Sequence, residues 1–234
     1  MKKRNILDCP IDFDRGDFLH LVSLSAGYAI SCQNAMGELV IRDNGWNVDI
    51  KGGKIRFGEN EFRSGVLGSE SESSDTWLWA WENTEGGLPE IAAAPSRRAK
   101  KALSECPEFQ TGKFMLDELH TGHNLAMVSC AVSEKDICYY RCPYTGGAAF
   151  VTVEGLPAEV FAPLSAEALL RRIMEIVSTY YCDHRLLAAG TLYMNGNDFT
   201  AEGNAITAEI DGRTLCFTFE PVEGLSRLID IRTV

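Results

Sequence analysis

The sequence lacks the short motifs that would announce a reaction. It holds no G-x-S-x-G, no G-x-x-x-x-G-K-[ST] and no H-E-x-x-H, so the signatures of α/β-hydrolase, P-loop and zincin chemistry are absent. Long apolar runs are missing too. The most apolar stretch, residues 18–32, is too short for a bilayer span and carries His20, Ser23, Ser25 and Ser31. Positive charge is scarce: 22 basic against 33 acidic residues leave a net charge of −11. That balance argues against nucleic acid, whose phosphates demand a basic surface, and favours a partner with a basic surface. Met1, Lys2, Lys3 and Arg4 imitate the start of a signal peptide, but Asp8, Pro10, Asp12 and Asp14 interrupt the apolar stretch that should follow. A cytoplasmic location is therefore expected. The eight cysteines read as free thiols filling a core, because 234 residues need no staples.

What is present is an ordinary globular composition, 45% apolar and 24% charged. Phe18, Leu21, Val22, Ser25, Ala29, Cys32 and Met36 follow helical spacing and predict a helix over 17–36, capped by Asp17 and ended by Gly37. "WNVDIKGGKIRF" predicts a hairpin turning at Gly52-Gly53, with Val48 opposite Phe57, Ile50 opposite Ile55 and Asp49 opposite Arg56. A strand near 62–67 leads into the polar loop "GSESESSD". A basic helix is expected in "APSRRAKKALSEC", a short strand near 112–118 and a helix in "HNLAMVSCAVSEK" with Asn124 as its cap. "DICYYRCPYTGGAAFVTVE" predicts a second hairpin turning at Gly146-Gly147, placing Tyr144 opposite Ala149, Cys142 opposite Val151 and Tyr140 opposite Val153. A helix from Ser165 presents Leu169, Ile173, Ile176, Val177 and Tyr180 inward. The chain then closes as a meander: strands near 206–210, 215–219 and 228–234, with Asp211-Gly212 turning Ala208 onto Leu215 and Ile206 onto Phe217.

"SDTWLWAW" places Trp77, Trp79 and Trp81 at every second position. In a strand the three rings share one face, and Leu78 and Ala80 hold the other, as in a strand covered on both sides. Burial of a ring removes about 150–250 Å² from water, so Trp77 and Trp81 are expected to anchor a core. These elements give an α+β fold of antiparallel sheets built from Gly-turn hairpins with helices packed on one side. Residues 17–82 and 165–234 both run helix, hairpin, strand, which suggests a two-unit helix-plus-meander architecture. The expected division is 1–155, carrying the tryptophan strand, and 156–234.

The ordered pieces Trp46 with Asp49, "WLWAWEN", "GHNLAMVSCAV" and "YYRCPYTGG" resemble a family of uncharacterised bacterial proteins, a domain of unknown function, over roughly residues 17–153. The resemblance implies a bacterial cytosolic protein and transfers no catalytic residue.

Ligand-binding candidates cluster around the tryptophan strand. Trp79 is the ring that could wall a pocket, with Glu82 and Asn83 as polar groups at its mouth. His120 and His123 form the H-x-x-H pair. A zinc site needs three or four ligands and this spacing gives two, so no metal and no cofactor is expected. "NGNDFTAEGNAITAE" has the flavour of a calcium loop with its glycine and closing acid misplaced. Cys138 and Cys142 share a strand face about 13 Å apart, beyond disulfide reach. Two functions follow as expectations: a non-catalytic, acidic protein-binding module of the inhibitor or immunity type, or a small-molecule-binding or hydrolase-like protein with a pocket at Trp79.

Overall fold

The computed structural model describes residues 3–84 and 86–233. Met1, Lys2, Glu85 and Val234, which carry parts of the N-terminal, loop and last-strand expectations, lie outside the described residues. Among the described residues, two antiparallel sheets and six α-helices make an α+β fold. The chain divides into two units, Met1–Ser31 with Ala162–Val234, and Cys32–Phe161. The first thirty-one residues thus group with the C-terminal part, whereas the sequence pattern placed the division near residue 155.

Helix α1 (Phe18–Met36) forms where the 3,4 spacing predicts it. Asp17 Oδ1 accepts from the Leu19 amide at 2.8 Å and caps its start. Gly37 does not end the coil. The backbone widens into a π-helical turn over Gly37–Ile41 and stops at Arg42, whose φ of 51° breaks helical geometry.

In the second unit, strands β1 (Trp46–Asp49), β2 (Lys54–Phe57), β3 (Asn60–Arg63), β4 (Val66–Ser71) and β5 (Thr76–Trp79) come first. Helices α2 (Ala94–Ala102) and α3 (Pro107–Gln110), strand β6 (Lys113–Met115), helix α4 (Gly122–Ala131) and strands β7 (Ile137–Tyr144) and β8 (Gly147–Glu154) follow. The sheet order is β1-β2-β3-β8-β4-β5-β6, with β7 on β8. Helix α4 packs on β7, β4 and β8, and α2 on β4.

Both Gly-Gly hairpins form, each in a register two residues from the expected one. Val48 faces Ile55 and Trp46 faces Phe57, so the β1–β2 loop is Ile50–Gly53. Asp49 Oδ1 accepts from the Gly52 amide at 2.8 Å and stabilises that longer turn. In β7–β8, Tyr144 faces Gly147, Cys142 faces Ala149 and Tyr140 faces Val151, which leaves Thr145-Gly146 as the loop. Gly147 is instead a strand residue held close to β4: a Cβ there would lie 2.1 Å from the Glu70 carbonyl oxygen. A two-residue slip preserves the facing of every side chain. Ile55 and Phe57 are accordingly buried as expected, and Lys54 and Arg56 exposed.

The tryptophan strand is extended, as its period predicts. Trp77 and Trp79 are fully buried and meet edge to face, ring centroids 5.1 Å apart at 84°. Trp77 also meets Phe150 at 5.4 Å. Gly68 on the paired strand leaves room for the indole, since a Cβ there would lie 2.3 Å from Trp77 Cζ2. Trp81 falls beyond the strand and is half-buried, with Lys100 Nζ 3.3 Å from its ring centroid. The core role expected for Trp81 therefore passes to Trp79.

In the other unit, helices α5 (Ala166–Thr179) and α6 (His184–Met194) accompany a sheet ordered β12-β11-β10-β9, from β9 (Phe199–Glu202), β10 (Ala205–Ile210), β11 (Arg213–Val222) and β12 (Leu225–Thr233). Ser165 caps α5, its hydroxyl accepting from the Ala168 amide. Leu169, Ile173 and Ile176 are buried, and Val177 and Tyr180 half-buried. The Asp211-Gly212 turn sets Ala208 on Leu215 and Ile206 on Phe217, as the sequence predicts. Both turn residues take positive φ, 52° and 71°, the requirement of a two-residue type I′ loop. Helix α6 and strand β9 went unforeseen. Helix α6 is buried around most of its girth, with Arg185 and Tyr193 half-buried, and shows no wide polar stripe. Its available signal was Asp183, whose carboxylate accepts from the Arg185 and Leu186 amides at 2.9 Å.

Candidate functional site

The sequence candidates lie in the second unit, around the start of α4. The cap there is Thr121, whose hydroxyl accepts from the Asn124 amide at 3.1 Å; Asn124 instead donates from Nδ2 to the Leu119 carbonyl at 2.8 Å. The turn that precedes the helix is tied by Asp117 Oδ1, which accepts from the amides of Leu119 at 2.9 Å and His120 at 2.7 Å.

His120 is clamped between two carboxylates. Its Nδ1 lies 2.9 Å from Asp117 Oδ1 and Oδ2, and its Nε2 3.1 Å from Glu108 Oε1. A neutral imidazole donates from one nitrogen, so completing both contacts needs a proton on the second ring nitrogen or on a carboxyl. Backbone donation from His120 is the main reason the Asp117 carboxyl sits below the usual carboxylate range. The other Glu108 oxygen accepts from the Cys106 thiol at 3.0 Å. Burial first, and Glu108 second, push that thiol far up.

Trp79 joins this cluster by its edge. Its Nε1–H donates to the Glu108 carbonyl at 2.8 Å, and its amide donates to Gly112. The ring, stacked 4.8 Å from Phe109, has no exposed face to offer a ligand. Glu82 is exposed and its side chain lies along Gly112. Asn83 closes a local turn, its Oδ1 accepting from Gly86 at 2.9 Å. The fold thus brings Trp79 and His120 together through Glu108, and leaves Asn83 in a separate turn.

His123 belongs to a second group. Its Nδ1 is 3.1 Å from the Tyr139 hydroxyl and its ring meets Phe150 at 5.2 Å. Desolvation lowers its pKa, with Glu70 pulling up and Arg141 pushing down. Arg141 Nε donates to Glu70 Oε1 at 2.7 Å. No group of three or more His, Cys, Asp or Glu among the described residues is placed to hold a metal ion.

A cleft of about 500 Å³ lies elsewhere in the same unit, over the β1–β2 turn, the ends of β3 and β8 and the start of α2. Its ionisable lining is Lys51, Lys54, Arg63, Arg98, Lys135 and Glu154. Sequence reading missed it because those cations are scattered over 85 positions. Arg98 of the basic helix run was the one available signal. Burial raises the Cys9, Cys142 and Cys182 thiols to about 12, so none is poised as a nucleophile.

Among known proteins, one family model matches, over residues 19–156, and its description is a Family of unknown function (DUF6882). No curated protein and no solved structure matches the chain.

Proposed function

We propose, for a chain that belongs to this family of unknown function, the role of a non-catalytic protein-binding module, acting as inhibitors and immunity proteins do. One observation carries the reading: the tryptophan strand is sealed. Trp79 is fully buried and bonded through its indole, so the ring that a small-molecule pocket would need is spent on the core. His120, which meets the side chain of Glu108, is held on both sides by carboxylates. The net charge favours a partner with a basic surface, and the second unit contributes 19 acidic against 12 basic residues. No helix among the described residues is long and apolar enough to cross a membrane. The absence of disulfides among the described residues supports a reducing, cytoplasmic setting.

The test is capture of partners on the immobilised chain from its native host, quantified by mass spectrometry, then reconstitution with the purified candidate. Recovery of one protein that re-forms a stoichiometric complex supports the role. Absence of any enrichment over a blank matrix sinks it.

A further inference from the structure

The basic cleft inverts the sign of the unit that carries it. Around it the unit is acidic, yet five cations and one carboxylate line the cavity. Like charges gathered in one concavity repel, an arrangement that an incoming anion relieves.

Three of the five cations have carboxylate partners. Lys54 Nζ is 2.6 Å from Glu61, and Lys135 and Arg98 share Glu154 at 3.2 and 3.8 Å. Lys51 and Arg63 have none among the described residues. Arg63 stands opposite Glu154 in the β3–β8 ladder, but the Glu154 carboxylate is taken by Lys135 and Arg98. Beside these charges the wall is apolar. Ile50, Pro95 and Ile91 line the cleft, and Ile91 is 82% exposed, the most open large apolar side chain among the described residues. An isoleucine so placed costs free energy until something covers it.

We propose that this cleft receives an acidic peptide segment of a protein partner, with two carboxylate side chains meeting Lys51 and Arg63 and an apolar side chain covering Ile91. A compact inorganic anion would satisfy the cations and leave Ile91 in water; a peptide satisfies both. The volume suits a few residues, within the range of roughly 300–1,000 Å³ typical of ligand sites. This inference rests on the binding-module reading and deepens it: the entering segment is acidic whatever the charge of the rest of the partner.

The experiment is fluorescence anisotropy of the purified full chain with a labelled peptide of alternating glutamate and leucine. The control peptide has glutamine for glutamate, and inorganic pyrophosphate is the competing small anion. Saturable binding of the glutamate peptide, weakened by salt and lost about tenfold or more in the Lys51→Glu, Arg63→Glu double variant, supports the site. Lys113→Glu, on β6 and outside the cleft lining, should bind as the parent does. Circular dichroism and thermal melting confirm that each variant folds. Equal binding of the glutamine peptide, an undiminished double variant, binding of pyrophosphate without the peptide, or no binding in any arm each overturns it. A captured partner that stays on the double variant would fell the cleft assignment and leave the binding-module reading standing. Peptide binding with no partner captured would do the reverse.

Discussion

Gly190 of α6 rests against the backbone of Leu24 in α1: a Cβ at Gly190 would lie 2.1 Å from the Leu24 carbonyl oxygen. One turn of contact further, a Cβ at Gly27 would overlap Thr191 Oγ1 at 1.8 Å. The two helices approach this closely because neither position carries a side chain, and backbone cannot yield as a flexible side chain can. Gly190→Ala should therefore destabilise the chain by about 1–3 kcal/mol, read as a lower midpoint in urea unfolding. Gly37→Ala, with nothing within 4 Å of the added atom, should stay within about 0.5 kcal/mol.

Asp183 is buried and serves two elements. Beyond capping α6, its Oδ2 accepts from the Ser226 amide at 2.7 Å and so holds the start of β12. Asp183→Ala removes the cap and orphans the Ser226 donor. A loss of roughly 2–4 kcal/mol is expected by chemical denaturation, and Asp183→Asn should lose less because the amide oxygen still accepts.

His184 gives a pH signature. Its Nδ1 accepts from the Leu228 amide at 3.1 Å, and Arg227 Nη1 lies 3.1 Å from Nε2. Burial and then Arg227 lower its pKa. The unfolded chain therefore binds this proton more readily than the folded one. The stabilisation is full above the ordinary histidine value, about 6.5, and is lost as pH falls from there toward the lowered folded value. Urea midpoints should fall with acidification in that window, and His184→Gln should flatten the slope. An unchanged slope would contradict the assignment.

Asp117 acts in the same direction as His184 but in a more acidic window. Its lowered pKa means that its contribution is present above the ordinary carboxylate range and lost as pH falls through the folded value. Carboxyl NMR titration should find Asp117 below the usual aspartate range. Removing the ring contact in His120→Ala should move it up, though only part of the way, because the backbone amides stay.

Trp79→Phe keeps the ring packing on Trp77 and Phe109 and deletes the Nε1 donor to the Glu108 carbonyl. The orphaned carbonyl should cost about 1–3 kcal/mol. The partner complex, once isolated, should survive the change; its loss would mean that this ring reaches the binding surface.

Much of this architecture was legible in residue order, and the gaps have physical causes. Asp211-Gly212 fixed its register because both positions take positive φ, which glycine adopts freely and aspartate tolerates. Adjacent glycines carry no such preference, so Gly52-Gly53 and Gly146-Gly147 marked hairpins without marking the turn, and two-residue slips followed. Helix α6 escaped because a helix buried around most of its girth has no wide polar stripe to reveal its period. Of the candidate site, the spacing of His120 and His123 could not show that their rings serve different groups, one bound to Asp117 and Glu108, the other to Tyr139. The cleft was invisible because it joins Lys51 to Lys135, and linear distance hides such convergence.

Seven of the eight thiols are buried, and Cys216 is partly open. The chain accordingly carries its own opening gauge. An alkylating reagent should modify Cys216 first, and each remaining sulfur only when its surroundings part. Mass spectra taken over time would then rank local openings across both units with no engineered probe.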